Sequence, residues 1–441
     1  MPLLIGPGTL LTMGSGGVVA DGGLLVEGDR IVRVDRFALL RSLYPQAEWI
    51  DAHGALVIPG LTNAHTHLYG LFARGFAFGG PPPRSFRQIL EQVWWRLDRG
   101  LTREAVHLSA LYGLAEHLHC GVTALSDHHA SPEAIDGSLD EIARAAQMLG
   151  IRTCLSYEVT DRNGQDGALA GITENQRFIT ALLSEQHTIA ARFGIHASFT
   201  LSTETLAACT RMADELGTAF HIHLAEGPED QADSLLKYGK RTAHRLAESG
   251  ILRPGTLVGH GVHLTDEEIA ILAESGVILT HQPHSNMGNA VGFPRILRMR
   301  ERGVRVALGT DGYTPDMLET LRSAATLHSH STQTPSDGIA EFAEILLVDN
   351  PRVMGEIFNL TLGRLEPEAA ADIVVTSYHS PTPLTAENAA YHLFYGLNTG
   401  HIDTVIVGGS TVVKNHRLTT IDEEALSREA QRVAASIWAR L

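Results

Sequence analysis

The 441-residue sequence predicts an α/β fold, a TIM-type (β/α)8 barrel joined to a small β-sandwich domain. Three observations lead there. Between about residues 59 and 367, apolar strand-like runs alternate with amphipathic helical stretches, eight times over. The two chain ends have another texture, short β-rich runs broken by Gly-Gly and Gly-Asp turns. Histidines and carboxylates gather where the apolar runs stop.

The elements follow in order. Short strands are expected at 23–27, 31–34 and 55–58, and again at 371–377, 401–407 and 411–414, with a helix over about 422–441. Neither end holds enough strands for a sandwich of its own. Residues 1–58 and 368–441 are therefore expected to fold together, leaving 59–367 as the barrel. Barrel strands are expected at 61–65, 122–127, 152–158, 194–200, 219–224, 256–260, 277–281 and 304–311. Helical patterns at 104–119, 139–149, 203–216 and 266–274 fill gaps between them.

Composition narrows the partners. Lys plus Arg number 34 against 50 Asp plus Glu, a net charge of −16, which disfavours polymeric nucleic acid and anionic membrane surfaces. Cys120, Cys154 and Cys209 form no CxxC pair, so neither a disulfide framework nor a cysteine zinc knuckle is expected. The start of the chain lacks a basic, cleavable leader, and no apolar run nears the ~18 residues of a membrane span, so the expected location is the cytoplasm. Histidine stands out with 23 copies; lysine occurs only at 237, 240 and 414.

The strand ends carry the chemistry. Alternation places His65 and His67 on one face of the first strand, close enough to share an ion. The fifth strand ends His221-Ile222-His223-Leu224-Ala225-Glu226, the sixth at His260, and the eighth at Asp311. Singly, each reads as a core histidine or a helix cap. Four ligand-capable strand ends in one barrel point instead to a metal site.

These segments, HTHL (65–68), HIHLAE (221–226), GHGVHL (259–264) and LGTDG (308–312), resemble the amidohydrolase superfamily. Within it the chain is similar to the aminohydrolase/chlorohydrolase branch of cytosine, guanine, S-adenosylhomocysteine and triazine hydrolases, as PGLTNAHTHL (59–68) and ADIVV (371–375) also are. WWRLDR (94–99), DHHASP (127–132), DRN (161–163), SNMGNAVG (285–292) and SPTPL (380–384) resemble the SsnA-type aminohydrolases. One departure is Pro367-Glu368-Ala369, where the branch usually has glycine after the proline.

The resemblance implies that His65, His67, His223 and Asp311 bind one divalent metal, zinc before iron. It also implies Glu226 as proton shuttle, His260 and Asp311 as the groups that orient the nucleophile, and His196 as a substrate contact. Binuclear members bridge their metals through a carboxylated lysine, usually on the fourth strand. With no lysine before Lys237, such a bridge is impossible and a single ion is the consistent reading. The implied reaction is hydrolytic deamination of a purine-, pyrimidine- or triazine-like ring by metal-activated water, releasing ammonia.

Other positions keep two readings. Trp94 and Trp95, in the long segment after the first strand, either pack on the barrel rim or form a lid that stacks on a flat ring. Asp98 and His128 are taken as further substrate contacts, His221 as a neighbour of the ion, and Asn286 as a brace for its loop. The same centre would also suit cleavage of a cyclic amide or a ring carbon–halide bond. A non-catalytic binding protein is a remote alternative, because no ligand and no Glu226 is lost. The expected partners are a small heterocycle, water and further copies of the chain, as a homodimer or higher homo-oligomer.

Overall fold

The computed structural model describes residues 2–77, 79–182, 188–335 and 337–441. Eight parallel strands form the barrel: β1 (Leu61–Thr66), β2 (Val122–Asp127), β3 (Arg152–Leu155), β4 (Phe193–Ala197), β5 (Phe220–Leu224), β6 (Leu257–His260), β7 (Ile278–His281) and β8 (Arg305–Leu308). Nearly every residue in them is buried, as strands enclosed between a barrel core and a helical shell require. They hydrogen-bond as two arcs, β1 to β3 with the short strand Ile189–Ala191, and β4 to β8. Two parallel bridges, Val159 to Ile195 and Thr66 to Asp311, join the arcs at both edges.

Local chemistry sets the helix boundaries. Thr102 caps Arg103–His119 and Ser202 caps Thr203–Leu216 through their hydroxyls, while Thr265 and Glu268 form a reciprocal capping box on Asp266–Ser275. Gly150, Gly217 and Gly276 end their helices in the left-handed conformation that a side chain disfavours.

The chain ends meet in one sheet. Leu56–Pro59 pairs in parallel with Leu3–Leu11 and antiparallel with Ile373–Thr376, which joins amino- and carboxy-terminal strands edge to edge. The sheet is continuous through nine strands, and its core unites Ile5, Leu24 and Ile31 with Ile373, Val375 and Ile406. The helix Glu423–Trp438 runs back along the barrel helix Arg103–His119, and Trp438 donates its indole N–H to the Phe72 carbonyl at 2.8 Å. Among the described residues no helix is long and apolar enough to cross a membrane.

Candidate metal centre and pocket

β1 delivers two imidazoles to the mouth of the barrel, each held by Nδ1 so that Nε2 faces inward. Nδ1 of His65 lies 2.7 Å from Nε2 of His221, and His67 donates from Nδ1 to the His128 carbonyl at 2.5 Å. At the end of β5, His223 donates from Nδ1 to the His196 carbonyl at 2.9 Å. Nε2 of His67 then stands 3.1 Å from Nε2 of His223 and 3.2 Å from Oδ1 of Asp311. Burial, reinforced by the neighbouring imidazoles, holds His65 and His223 well below the ordinary histidine range, so their lone pairs stay free.

These groups fit a divalent ion. Nε2 of His65 is wholly buried without a hydrogen-bond partner among the described residues, and the donor atoms of His65, His67 and Asp311 lie within 4.8 Å of one another. A tetrahedral ion with bonds of about 2.1 Å spaces its ligands roughly 3.4 Å apart, close to the separations observed here. Neutral imidazoles with one carboxylate suit zinc.

The backbone bends to achieve this. Gly309 lets β8 approach β1, since a Cβ there would stand 2.8 Å from the His65 carbonyl oxygen. That carbonyl accepts from both Thr310 N–H at 2.8 Å and Asp311 N–H at 3.0 Å. Asp311 (φ 56°), His260 (φ 72°) and Ala225 (φ 48°) all take the left-handed region at strand ends, strain that recurs at functional sites.

Beside the imidazoles, Glu226 and His260 lie side by side. Oε2 of Glu226 is 3.4 Å from Nε2 of His260, which is 3.8 Å from Oδ2 of Asp311. His260 donates from Nδ1 to Oδ1 of Asn286 at 2.9 Å, and burial keeps its ring neutral, so Nε2 presents a lone pair. Burial, then the charge on Asp311, pushes the Glu226 carboxyl well above the carboxylate range. Burial also raises Asp311, while the hydrogen bonds it accepts from Ser285 and from Gly312 N–H favour its ionised form.

A pocket opens over this pair, walled by Phe86, Trp94, Trp95 and Phe199. Both readings of the tryptophans have a counterpart in it: Trp94 lines the pocket and also abuts Gly312, where an added Cβ would stand 3.1 Å from its ring. His196 lines the pocket too. Two expected contacts do not reach its wall. His128 is fully buried and stacked on His221 with ring centroids 4.2 Å apart, and Asp98 is buried in an ion pair with Arg162 at 2.9 Å.

Other residues came to light only in three dimensions. Asn286, read as a loop brace, fixes the proton of His260. Glu158 and Arg162 both line the pocket. Their signal was present in the sequence, a carboxylate ending the third apolar run and an arginine in the DRN segment, but nothing there showed that either points inward.

The family profile of the amidohydrolases matches residues 56–412. The 5'-deoxyadenosine deaminase of Methanosarcina mazei is 31% identical over 398 residues, 89% of each chain. The 5-methylthioadenosine/S-adenosylhomocysteine deaminase of Thermococcus sibiricus is 32% identical over 371 residues, 82% of this chain and 84% of its own. Among solved structures, a zinc-bound adenosine deaminase from Xanthomonas campestris superposes with a TM-score of 0.85 at 24% identity, covering 99% of this chain and 98% of that one. Zinc-bound atrazine chlorohydrolase from Arthrobacter aurescens gives 0.78 at 24% identity, covering 98% and 100%. At that identity the two structures speak for the fold.

Proposed function

The chain belongs to the amidohydrolase family, and from that premise we propose that it is a metal-dependent hydrolase that removes an exocyclic amine, as ammonia, from an aromatic N-heterocycle. The observation that carries this reading is the juxtaposition of Glu226 and His260 beside the converging donors of His65, His67, His223 and Asp311. The deaminase names of the relatives agree with it.

A divalent ion held by those four residues, zinc as in the similar structures, supplies Lewis acidity that lowers the pKa of water from 15.7 to about 7. The remaining work falls to side chains. Asp311, ionised at neutral pH, accepts a proton from the attacking water. His260 accepts a hydrogen bond at Nε2 and orients that water on the ring carbon. Glu226, which burial keeps protonated, gives its proton to the ring nitrogen beside that carbon, so charge is neutralised as it forms. The aromatic walls hold the flat ring and exclude water from it.

The reading extends to the rest of the chain. Residues 59–367 are the catalytic barrel and residues 1–58 with 368–441 a composite domain, a division that the shared sheet of the two ends supports. A cytoplasmic homodimer is proposed on the free state of all three cysteines and on the prevalence of twofold pairing.

The test is ammonia release from metal-replete protein across purines, pyrimidines, pterins and triazines, with Asp311→Asn alongside. Release that disappears in the variant is expected. Chloride release or ring opening without ammonia would replace deamination by hydrolysis of another bond.

A further inference from the structure

The pocket wall also carries polar groups that the proposed reaction leaves unused. Arg162 donates from Nη2 to Asp98 at 2.9 Å, and its guanidinium lies 4.7 Å from the centre of the Trp95 ring. Its Nε and Nη1 are buried and have no hydrogen-bond partner among the described residues, although its side chain is only 8% exposed. Glu158 is 2% exposed, and its Oε1 makes no hydrogen bond among the described residues but stands 3.3 Å from Nδ1 of His128. Oε2 of Glu158 stands 4.0 Å from Nε2 of His196, too far for a hydrogen bond and suited to one polar atom between them. Buried donors left unpaired are costly, and two such N–H groups on Arg162, on the pocket wall that also carries the Glu158 carboxyl, call for a ligand that satisfies them.

Resting on the deaminase reading, we infer that Arg162 and Glu158 recognise a lactam edge, so that the substrate is an amino-heterocycle bearing a ring oxo group. The ring carbonyl accepts from Arg162, and the adjacent ring N–H donates to Glu158. Depth favours an edge of the ring over a sugar, because Glu158 is 2% exposed and packs against the Nδ1 side of His67. A sugar substituent would project toward the pocket mouth. Trp95 and Phe199, with ring centroids 6.5 Å apart, line the same pocket.

The test uses matched rings that differ only in the oxo group: guanine against 2-aminopurine, and isocytosine against 2-aminopyrimidine. It compares the metal-replete wild type with Arg162→Gln/Asp98→Asn, a pair that leaves no lone carboxylate buried, and with Glu158→Gln. Metal content is measured throughout, together with calorimetric dissociation constants for xanthine and uracil. The wild type is expected to favour the oxo ring at least about 100-fold in kcat/KM. In the variants that ratio should fall below about 10, and xanthine or uracil should bind at least about tenfold more weakly at unchanged metal content. Equal handling of each matched pair by the wild type, or ratios and dissociation constants unmoved in both variants, would overturn the inference. Turnover confined to 5'-deoxyadenosine would overturn it while leaving the deaminase reading intact. Ammonia from no ring, with one metal bound per chain, would instead sink the deaminase reading, and the dissociation constants would still decide the lactam site.

Discussion

The Nε2 atoms of His67 and His223 face each other at 3.1 Å while both Nδ1 protons are committed to backbone carbonyls. An ion bound by both facing nitrogens uses the two lone pairs that would repel each other across neutral rings. Stripping the ion with a chelator should therefore cost stability as well as activity. Linkage gives about 2.7 kcal/mol when the free ion is a hundred times its Kd. Thermal melts of the zinc-loaded and chelated protein check this. Identical midpoints would count against an ion at this position.

Glu226 lies beside the centre without being one of its four proposed ligands, so Glu226→Gln should separate proton transfer from metal binding. A fall in kcat of about 10²- to 10⁴-fold is expected at unchanged metal content. The sign of the pH effect follows from the raised carboxyl. A proton donor works below its folded-state pKa and fails as pH rises through it. The wild-type rate should thus show an alkaline limb well above the ordinary carboxylate range, and the residual rate of Glu226→Gln should lack it.

Asp230 holds the turn that carries Glu226. Its two oxygens accept from Ala225 N–H at 2.8 Å and Phe199 N–H at 3.1 Å, and burial pushes its carboxyl up to about 7. Asp230→Asn keeps one acceptor and sets an NH2 against the other amide, at a cost of about 1–3 kcal/mol. Because the folded-state pKa is raised above the unfolded value, the stability Asp230 contributes is full below about pH 4 and lost as pH climbs through about 7. Denaturant melts across that window should show a steeper decline for the wild type than for the variant. Parallel curves would contradict the raised carboxyl.

What could be read beforehand follows from contrast. His65, His67, His223, His260 and Asp311 end apolar strand runs, where four ligand-capable ends together point to a metal site, and alternation places His65 and His67 on one face. Glu158 ends such a run as well, but only packing reveals that it turns toward His67 and His128. Arg162 and Asp98 lie 64 residues apart, and their ion pair depends on how the segment after β1 folds over the barrel, which no local pattern encodes. The strands at the chain ends were legible as short β runs. Their merging into one sheet hinges on Leu56–Pro59 accepting partners from both ends, a long-range pairing without a local signature.

The barrel and the small sheet are also joined by a charge. Arg152, at the start of β3, meets Asp372 in a two-pronged pair, with Nη2 to Oδ1 at 3.0 Å and Nε to Oδ2 at 3.1 Å. The side chains are 3% and 2% exposed, and Asp372 also accepts from Gly408 N–H at 2.9 Å. Removing the guanidinium leaves the Asp372 carboxylate buried, so Arg152→Met should destabilise the fold by about 3–5 kcal/mol. Replacing both residues by apolar ones of similar volume should cost far less, because no charge is then stranded. Neither change touches the histidine cluster, and the folded fraction of each variant should keep its full complement of metal. Denaturant titration with metal analysis of the native protein decides it: a single variant as stable as the wild type would mean that water reaches this pair and screens it.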